Sequence, residues 1–143
     1  MLYEAYIQLN YFPRANLRVG KFKPPVGLER LQSDDDTSFV ERGLPALLVP
    51  SRDIGYQISG DVVKRRVSYT VSVFNGVPDN GLSDASVSSH RDYAARIFLT
   101  PFLPNASSPL SGLGFGIGAS SGNDDGIPLP SYKTFGQNTF FTF

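Results

Sequence analysis

Seven basic side chains have the chemistry and the spacing to bind an anion. They are, in chain order, Arg18, Lys21, Lys23, Arg30, Arg42, Arg52 and Arg96. Arginine suits phosphate because its planar guanidinium donates two hydrogen bonds to two oxygens of one anion. Five of the seven lie in or beside the segment 24–51, whereas Arg18 and Arg96 alternate with apolar residues along predicted strands. We therefore interpret the set as candidate anion ligands.

Acidic neighbours give some of these cations a structural alternative. Glu41 precedes Arg42, and Asp53 follows Arg52, so both carboxylates are candidate anchors that would hold the segment in place. The two lysines before the segment have a similar alternative, as surface charges at a strand end. A cation neutralised in this way would pin the loop and would not contact a mobile anion.

Residues for catalysis or metal binding are scarce. The chain has no Cys and one His, His90, which excludes thiolate sites and paired-imidazole zinc sites. The three aspartates at 34–36 predict a solvated loop tip more readily than a calcium site. Gly118–Gly122 matches a nucleophile elbow, but no helix pattern follows it and the only His precedes it. We predict that the protein is not an enzyme and holds neither metal nor cofactor.

The composition narrows the class of protein. The 143 residues include 13 Lys+Arg and 13 Asp+Glu, and this balance lacks the basic footprint of a nucleic-acid binder. With 14 Gly and 11 Pro, the chain favours strands joined by turns over a helical bundle. No apolar run approaches the roughly 20 residues of a membrane helix, while membrane strands of about 9–11 alternating residues stay compatible with the pattern.

Alternating apolar and polar residues predict seven strands. They cover about 3–11, 16–22, 53–62, 67–73, 92–100, 112–119 and 133–143. Short connections at 13–14 and 63–66 alternate with long ones at 24–51 and 75–91. This alternation of connection lengths, with aromatic residues near the strand ends, is typical of outer-membrane β-barrels. A soluble β-sandwich shares the strand pattern and remains open at this point.

Five segments carry a more specific likeness. They are Leu17–Ser33, which reads LRVGKFKPPVGLERLQS, then Phe39–Pro45, Arg52–Gln57, Val73–Gly76 and Gly136–Phe141. In this order and spacing they closely resemble the phosphate-selective porin O and P family. The resemblance extends over most of the chain and is strongest from about 17 to 102.

The resemblance implies an all-β fold, an antiparallel transmembrane β-barrel of about sixteen strands in the bacterial outer membrane. Sixteen strands of about 9–11 residues need roughly 150 residues before any loop is added. Residues 1–143 are therefore expected to be an internal piece with about seven strands, a single domain incomplete at both ends, and no signal peptide is visible. The expected partners are outer-membrane lipid, small anions such as phosphate and further copies in a homotrimer, without nucleic acid.

The predicted function is passive diffusion of small anions, with phosphate or polyphosphate selectivity as an implication of the resemblance. Segment 24–51 is expected to fold into the barrel as its constriction loop, and the role of its arginines is inferred from their charge. A non-selective general-diffusion porin is one alternative. The other is a soluble carbohydrate-binding β-sandwich that uses Tyr56, Tyr69 and Tyr93, although Tyr56 and Tyr69 alternate with aliphatic residues on their strands.

Overall fold

The structure is a computed structural model that describes residues 4–12, 14–33, 35, 42–49, 52–76, 90–102, 109–123, 132–133 and 138–141. Six strands form one antiparallel sheet in these ranges. They are β1 Ala5–Phe12, β2 Ala15–Phe22, β3 Asp53–Val62, β4 Val67–Phe74, β5 Asp92–Leu99 and β6 Phe115–Ser121. No helix in the described ranges is long and apolar enough to cross a membrane.

The sheet is a meander, since each strand pairs with its neighbours in the chain and β1 and β6 form the two edges. Such an arrangement builds the wall of an up-and-down barrel, although the sheet described here is open. The predicted all-β antiparallel architecture is confirmed. The first five strands lie within two residues of their predicted bounds, and β6 begins three residues late because the Leu113 N–H donates to the Leu110 carbonyl in a turn, at 2.9 Å.

The prediction of a seventh strand over 133–143 is wrong for the described residues, because the main sheet has six strands. β7 Tyr132–Lys133 and β8 Thr139–Phe141 pair with each other in a separate two-stranded sheet. Aromatic residues stand at both 140 and 141, so this part of the sequence lacks the period of two that fixes which face of a strand is buried. Without that period, the sequence does not specify a seventh strand of the main sheet.

One face of the six-stranded sheet, here the apolar face, exposes aliphatic and aromatic side chains. Ile58 lies opposite Leu17 on one side and Val71 on the other, and all three are exposed. Tyr56 lies in the same way between Val19 and Val73. Apolar rows that cross several strands without cover are expected against lipid rather than against water.

The opposite face, here the polar face, is covered near one end by the segment between β2 and β3. We call its described parts, residues 24–33 and 42–49, the covering loop; they contain α1 Leu28–Leu31 and a 3₁₀ helix at Leu44–Leu47. Val26 of the loop packs in a buried cluster with Phe22, Phe74 and Ala94. The rings of Phe22 and Phe74 lie 5.2 Å apart between their centroids. These contacts fix the loop against the sheet.

Glycines of β6 and of the turn before it allow close packing on the polar face. A Cβ at Gly116 would lie 2.5 Å from the ring of Phe98, and one at Gly114 would lie 2.7 Å from it. Further along β6, a Cβ at Gly118 would approach the Pro25 carbonyl oxygen to 3.5 Å. Gly114 and Gly116 therefore make room for an aromatic ring, whereas a Cβ at Gly118 would make an ordinary contact with the covering loop.

Candidate anion site on the polar face

A cleft between the sheet and the covering loop brings three of the seven candidate cations together. It has a volume of about 430 Å³ and is lined by Glu4, Arg18, Phe22, Lys23, Leu31, Ser33 and Arg52. The lining thus carries three cations and one carboxylate. A cleft of this size holds an oxyanion together with several waters, since a water occupies about 30 Å³ in the liquid.

Arg18 is oriented in the cleft by an amide and by aromatic rings. Its Nε and Nη2 donate to Gln8 Oε1 at 3.0 and 2.6 Å, and Gln8 stands opposite Arg18 in the β1–β2 pair. The guanidinium carbon lies 4.4 Å from the ring centroid of Tyr6 and 5.6 Å from that of Phe22. These partners are uncharged, so they fix the direction of the guanidinium and leave its positive charge in place.

Arg52 forms an ion pair with Glu4, and both residues line the cleft. The Arg52 Nε donates to Glu4 Oε1 at 2.9 Å, and the two side chains are 16% and 36% exposed. The sequence had pointed to the adjacent Asp53 as the partner of Arg52. Glu4 lies 48 residues away and reaches Arg52 because β1, β2 and β3 are neighbours in the sheet.

One comparison with known proteins finds a match. The family model of phosphate-selective porin O and P matches residues 2–126. The chain belongs to the phosphate-selective porin O and P family. It is therefore a porin of the bacterial outer membrane, and the predicted localisation is confirmed. No curated protein and no solved structure matches the chain.

The covering loop of the porin is held by Glu29, which the sequence analysis missed. The Gly43 N–H donates to both carboxylate oxygens of Glu29, at 3.0 and 2.9 Å. Lys23 Nζ and Arg42 Nη2 both donate to the Gln32 carbonyl oxygen, at 3.5 and 3.1 Å, and Gln32 is the C-cap of α1. Cations are favourable beside the last carbonyls of a helix. The two described parts of the loop are therefore fastened to each other.

Asp53 anchors a different connection from the one that the sequence indicated. Its carboxylate is buried and accepts hydrogen bonds from the Ile54 N–H at 2.6 Å and the Gly76 N–H at 2.8 Å. Gly76 is the second residue of the connection between β4 and β5 in the porin. The positive charges of Arg91 and Lys21 also act on this carboxylate. Asp53 thus holds the start of the second long connection.

The other candidates among the described residues do not line the cleft. Lys21 and Arg30 are buried, at 5% and 6% exposure. Arg96 lies on the polar face opposite Gly118, with its guanidinium carbon 5.1 Å from the ring centroid of Phe98. Glu41 falls outside the described residues.

The acidic run at 34–36 is described in part. Asp35 is exposed, whereas its two neighbours fall outside the described residues. Within the part of the chain that the structure describes, no group of three or more His, Asp or Glu side chains could hold a metal ion. The prediction that the porin holds no metal therefore stays a prediction.

Proposed function

We propose that this porin passes small anions by passive diffusion and that phosphate binds in transit in the cleft. The observation that carries the proposal is the convergence of Arg18, Lys23 and Arg52 around one cleft of the polar face. The proposal also includes the homotrimer and the lipid surroundings that the family resemblance implies. The soluble carbohydrate-binding alternative is excluded, because the chain is an outer-membrane porin.

The polar face is the one that borders the pore in this proposal. The apolar face exposes Ile58, Val71 and their neighbours, which suit contact with lipid. Arg18 and Arg96 lie on the other face, and an arginine exposed to lipid at the bilayer midplane would cost about 2–4 kcal/mol. The polar face therefore borders water, and permeant ions meet its side chains.

The cleft has the donors that phosphate requires. Arg18 is held in a fixed direction by Gln8 and Tyr6 and offers guanidinium N–H donors, while Lys23, the residue after β2, adds a compact charge. Ser33 also lines the cleft and brings a hydroxyl group. These groups replace part of the hydration of phosphate, and a partly solvated site lets the ion leave again.

The covering loop narrows the pore at the cleft. Leu31 and Ser33 line the cleft from the loop, and Arg18 of β2 and Arg52, next to β3, line it from the sheet. The buried cluster around Val26 and the bond between Glu29 and Gly43 keep the loop on the sheet. We therefore assign segment 24–51 the role of the constriction loop.

Single-channel recording in planar bilayers tests the proposal. In a chloride gradient the purified porin is expected to give a reversal potential on the anion side, and added phosphate is expected to block the chloride current. Arg18→Gln removes the fixed guanidinium, so the half-blocking phosphate concentration is expected to rise about tenfold, as for the loss of roughly 1.5 kcal/mol of charge-assisted hydrogen bonding. Arg96→Gln is the matched control, because Arg96 is also stacked on a ring of the polar face but does not line the cleft.

Two outcomes would contradict the proposal in different ways. Channels of the unmodified porin without ion preference would establish a general-diffusion porin. An equal loss of phosphate block in Arg18→Gln and Arg96→Gln would assign the selectivity to the overall potential of the pore and not to the cleft.

A further inference from the structure

Glu4 places a fixed anion inside the cleft. We propose that its carboxylate competes with the permeant oxyanion for the cations of the cleft and thereby sets how tightly, and for how long, phosphate is held. This inference rests on the proposed function. It makes Glu4 a specificity-determining residue whose charge opposes binding but favours release.

The position of Glu4 supports the competition directly. Its Oε1 lies 2.9 Å from the Arg52 Nε, which is the distance that a bound phosphate oxygen would adopt with the same donor. Glu4 and Arg52 also line the same cleft as Arg18 and Lys23. An oxyanion that enters the cleft therefore meets the negative charge of Glu4 and one cation already engaged by it.

Glu4 differs from the carboxylates that hold the fold. Asp53 and Glu29 accept hydrogen bonds from backbone N–H groups and fix long connections. Glu4 pairs with a side chain, is 36% exposed and lies just before the first residue of β1. Ion pairs with this exposure add little to stability, so the charge can be removed without loss of the sheet.

The competition has a mechanistic consequence for transport. Conduction requires a site that attracts the ion and also releases it, and a site of unopposed cations would hold phosphate too long. Loss of the Glu4 charge is expected to strengthen phosphate binding while it slows the passage of each phosphate ion. Stronger binding favours the capture of phosphate, whereas slower passage reduces the rate of transport. A merely structural residue would not produce that combination.

The test compares Glu4→Gln with Asp61→Asn in bilayer recordings of the whole porin at about 0.1 M salt. Glu4→Gln is expected to lower the half-blocking phosphate concentration about threefold to tenfold and to lengthen single phosphate blocks by a similar factor. Asp61→Asn is the matched control, because it also removes one negative charge. Asp61 lies on β3, accepts a hydrogen bond from Ser68 and does not line the cleft. It lies eight residues from Asp53 along β3, about 26 Å, beyond a Debye length of about 10 Å.

The outcomes separate this inference from the proposed function. If Glu4→Gln changes the phosphate block no more than Asp61→Asn, or weakens it, the competition is wrong and Glu4 only orients Arg52. Glu4→Asp keeps the charge on a shorter side chain, so its half-blocking phosphate concentration is expected to stay closer to that of the unmodified porin than that of Glu4→Gln does. An equal change in both variants would assign the effect to a disturbance of the fold. An unmodified porin without anion preference would overturn the proposed function and this inference together.

Discussion

Backbone strain at the residue scale is concentrated in the turn between β3 and β4. Val63, Lys64 and Arg65 have φ angles of 52°, 54° and 65°, in the left-handed region. This region costs an L-residue roughly 1–2 kcal/mol, and a β-branched side chain is especially strained there. Val63 is 63% exposed, so its side chain contributes little packing in return. The turn is still closed, because the Arg66 N–H donates to the Val63 carbonyl oxygen at 3.1 Å.

Val63→Asn is expected to stabilise the porin. Asparagine adopts the left-handed region more readily than valine, so the free energy of unfolding should rise by about 0.5–1 kcal/mol. Urea unfolding in lipid vesicles measures the change. Val67→Asn is the control, since Val67 is the first residue of β4 and has no left-handed backbone to relieve. Equal destabilisation by both substitutions would show that the backbone strain at Val63 does not lower the free energy of unfolding.

The sequence predicted the faces on which single side chains lie better than it predicted the residues that they contact. Arg18 and Arg96 were correctly assigned to polar faces, because a period of two fixes the direction of a side chain as soon as the strand is recognised. The pair of Glu4 with Arg52 depends on the order of three strands, and the bond between Glu29 and Gly43 depends on how a loop closes. Neither is encoded in neighbouring residues, which explains why the sequence pointed to adjacent charges instead.

At the scale of elements, the covering loop depends on one carboxylate. Glu29→Ala removes both acceptors of the Gly43 N–H and should destabilise the closed loop by about 1 kcal/mol, which is roughly fivefold in its opening equilibrium. Trypsin cleavage after Arg42 in the folded porin measures this opening and is expected to accelerate about fivefold. Open-channel current noise should rise in the same variant, because the loop forms one wall of the cleft.

A second carboxylate provides the comparison for the loop. Glu4→Gln removes an ion pair of the cleft but leaves Glu29 in place, so its tryptic cleavage after Arg42 should match that of the unmodified porin. Equal cleavage rates in Glu29→Ala and in the unmodified porin would show that the buried cluster around Val26 and Phe22 holds the loop without Glu29.

The elements themselves could be predicted where the periodicity was strict. The predicted strand over 53–62 coincides with β3, since Ile54, Tyr56 and Ile58 alternate with polar or small residues and strand register follows from that alternation. The run after residue 132 has adjacent aromatic residues at 140 and 141, which breaks the alternation, and the structure divides the run between β7 and β8. The two short helices of the covering loop were not predicted, because four residues are too few to show a helical period.

The two faces of the sheet determine which side of the whole molecule faces lipid and which side faces water. An apolar face that packs against lipid and a polar face that borders water require each strand to alternate without a slip across the sheet. The pairing of β2, β3 and β4 meets this condition, since Ile58 stands between Leu17 and Val71, while the next residue, Ser59, stands between Asn16 and Thr70. The register shifts between Leu9 and Phe12 of β1, at the edge of the sheet. Charge on the two faces should therefore have very different costs.

Ile58→Arg and Ser59→Arg test this difference at one depth in the membrane. Ile58 is 49% exposed on the apolar face, so an arginine there should lower the free energy of unfolding in vesicles by about 2–4 kcal/mol if it lies near the bilayer midplane. Ser59 lies on the polar face, where an added arginine meets water. The carboxylate of Asp61 lies two residues along the same face of β3. The free energy of unfolding should therefore change by less than about 1 kcal/mol. Equally large losses in both variants would mean that both faces are dry, and equally small losses would mean that the apolar face also borders water. A loss confined to Ile58→Arg would establish that the face opposite the cleft is in lipid and that the cleft borders the water-filled pore.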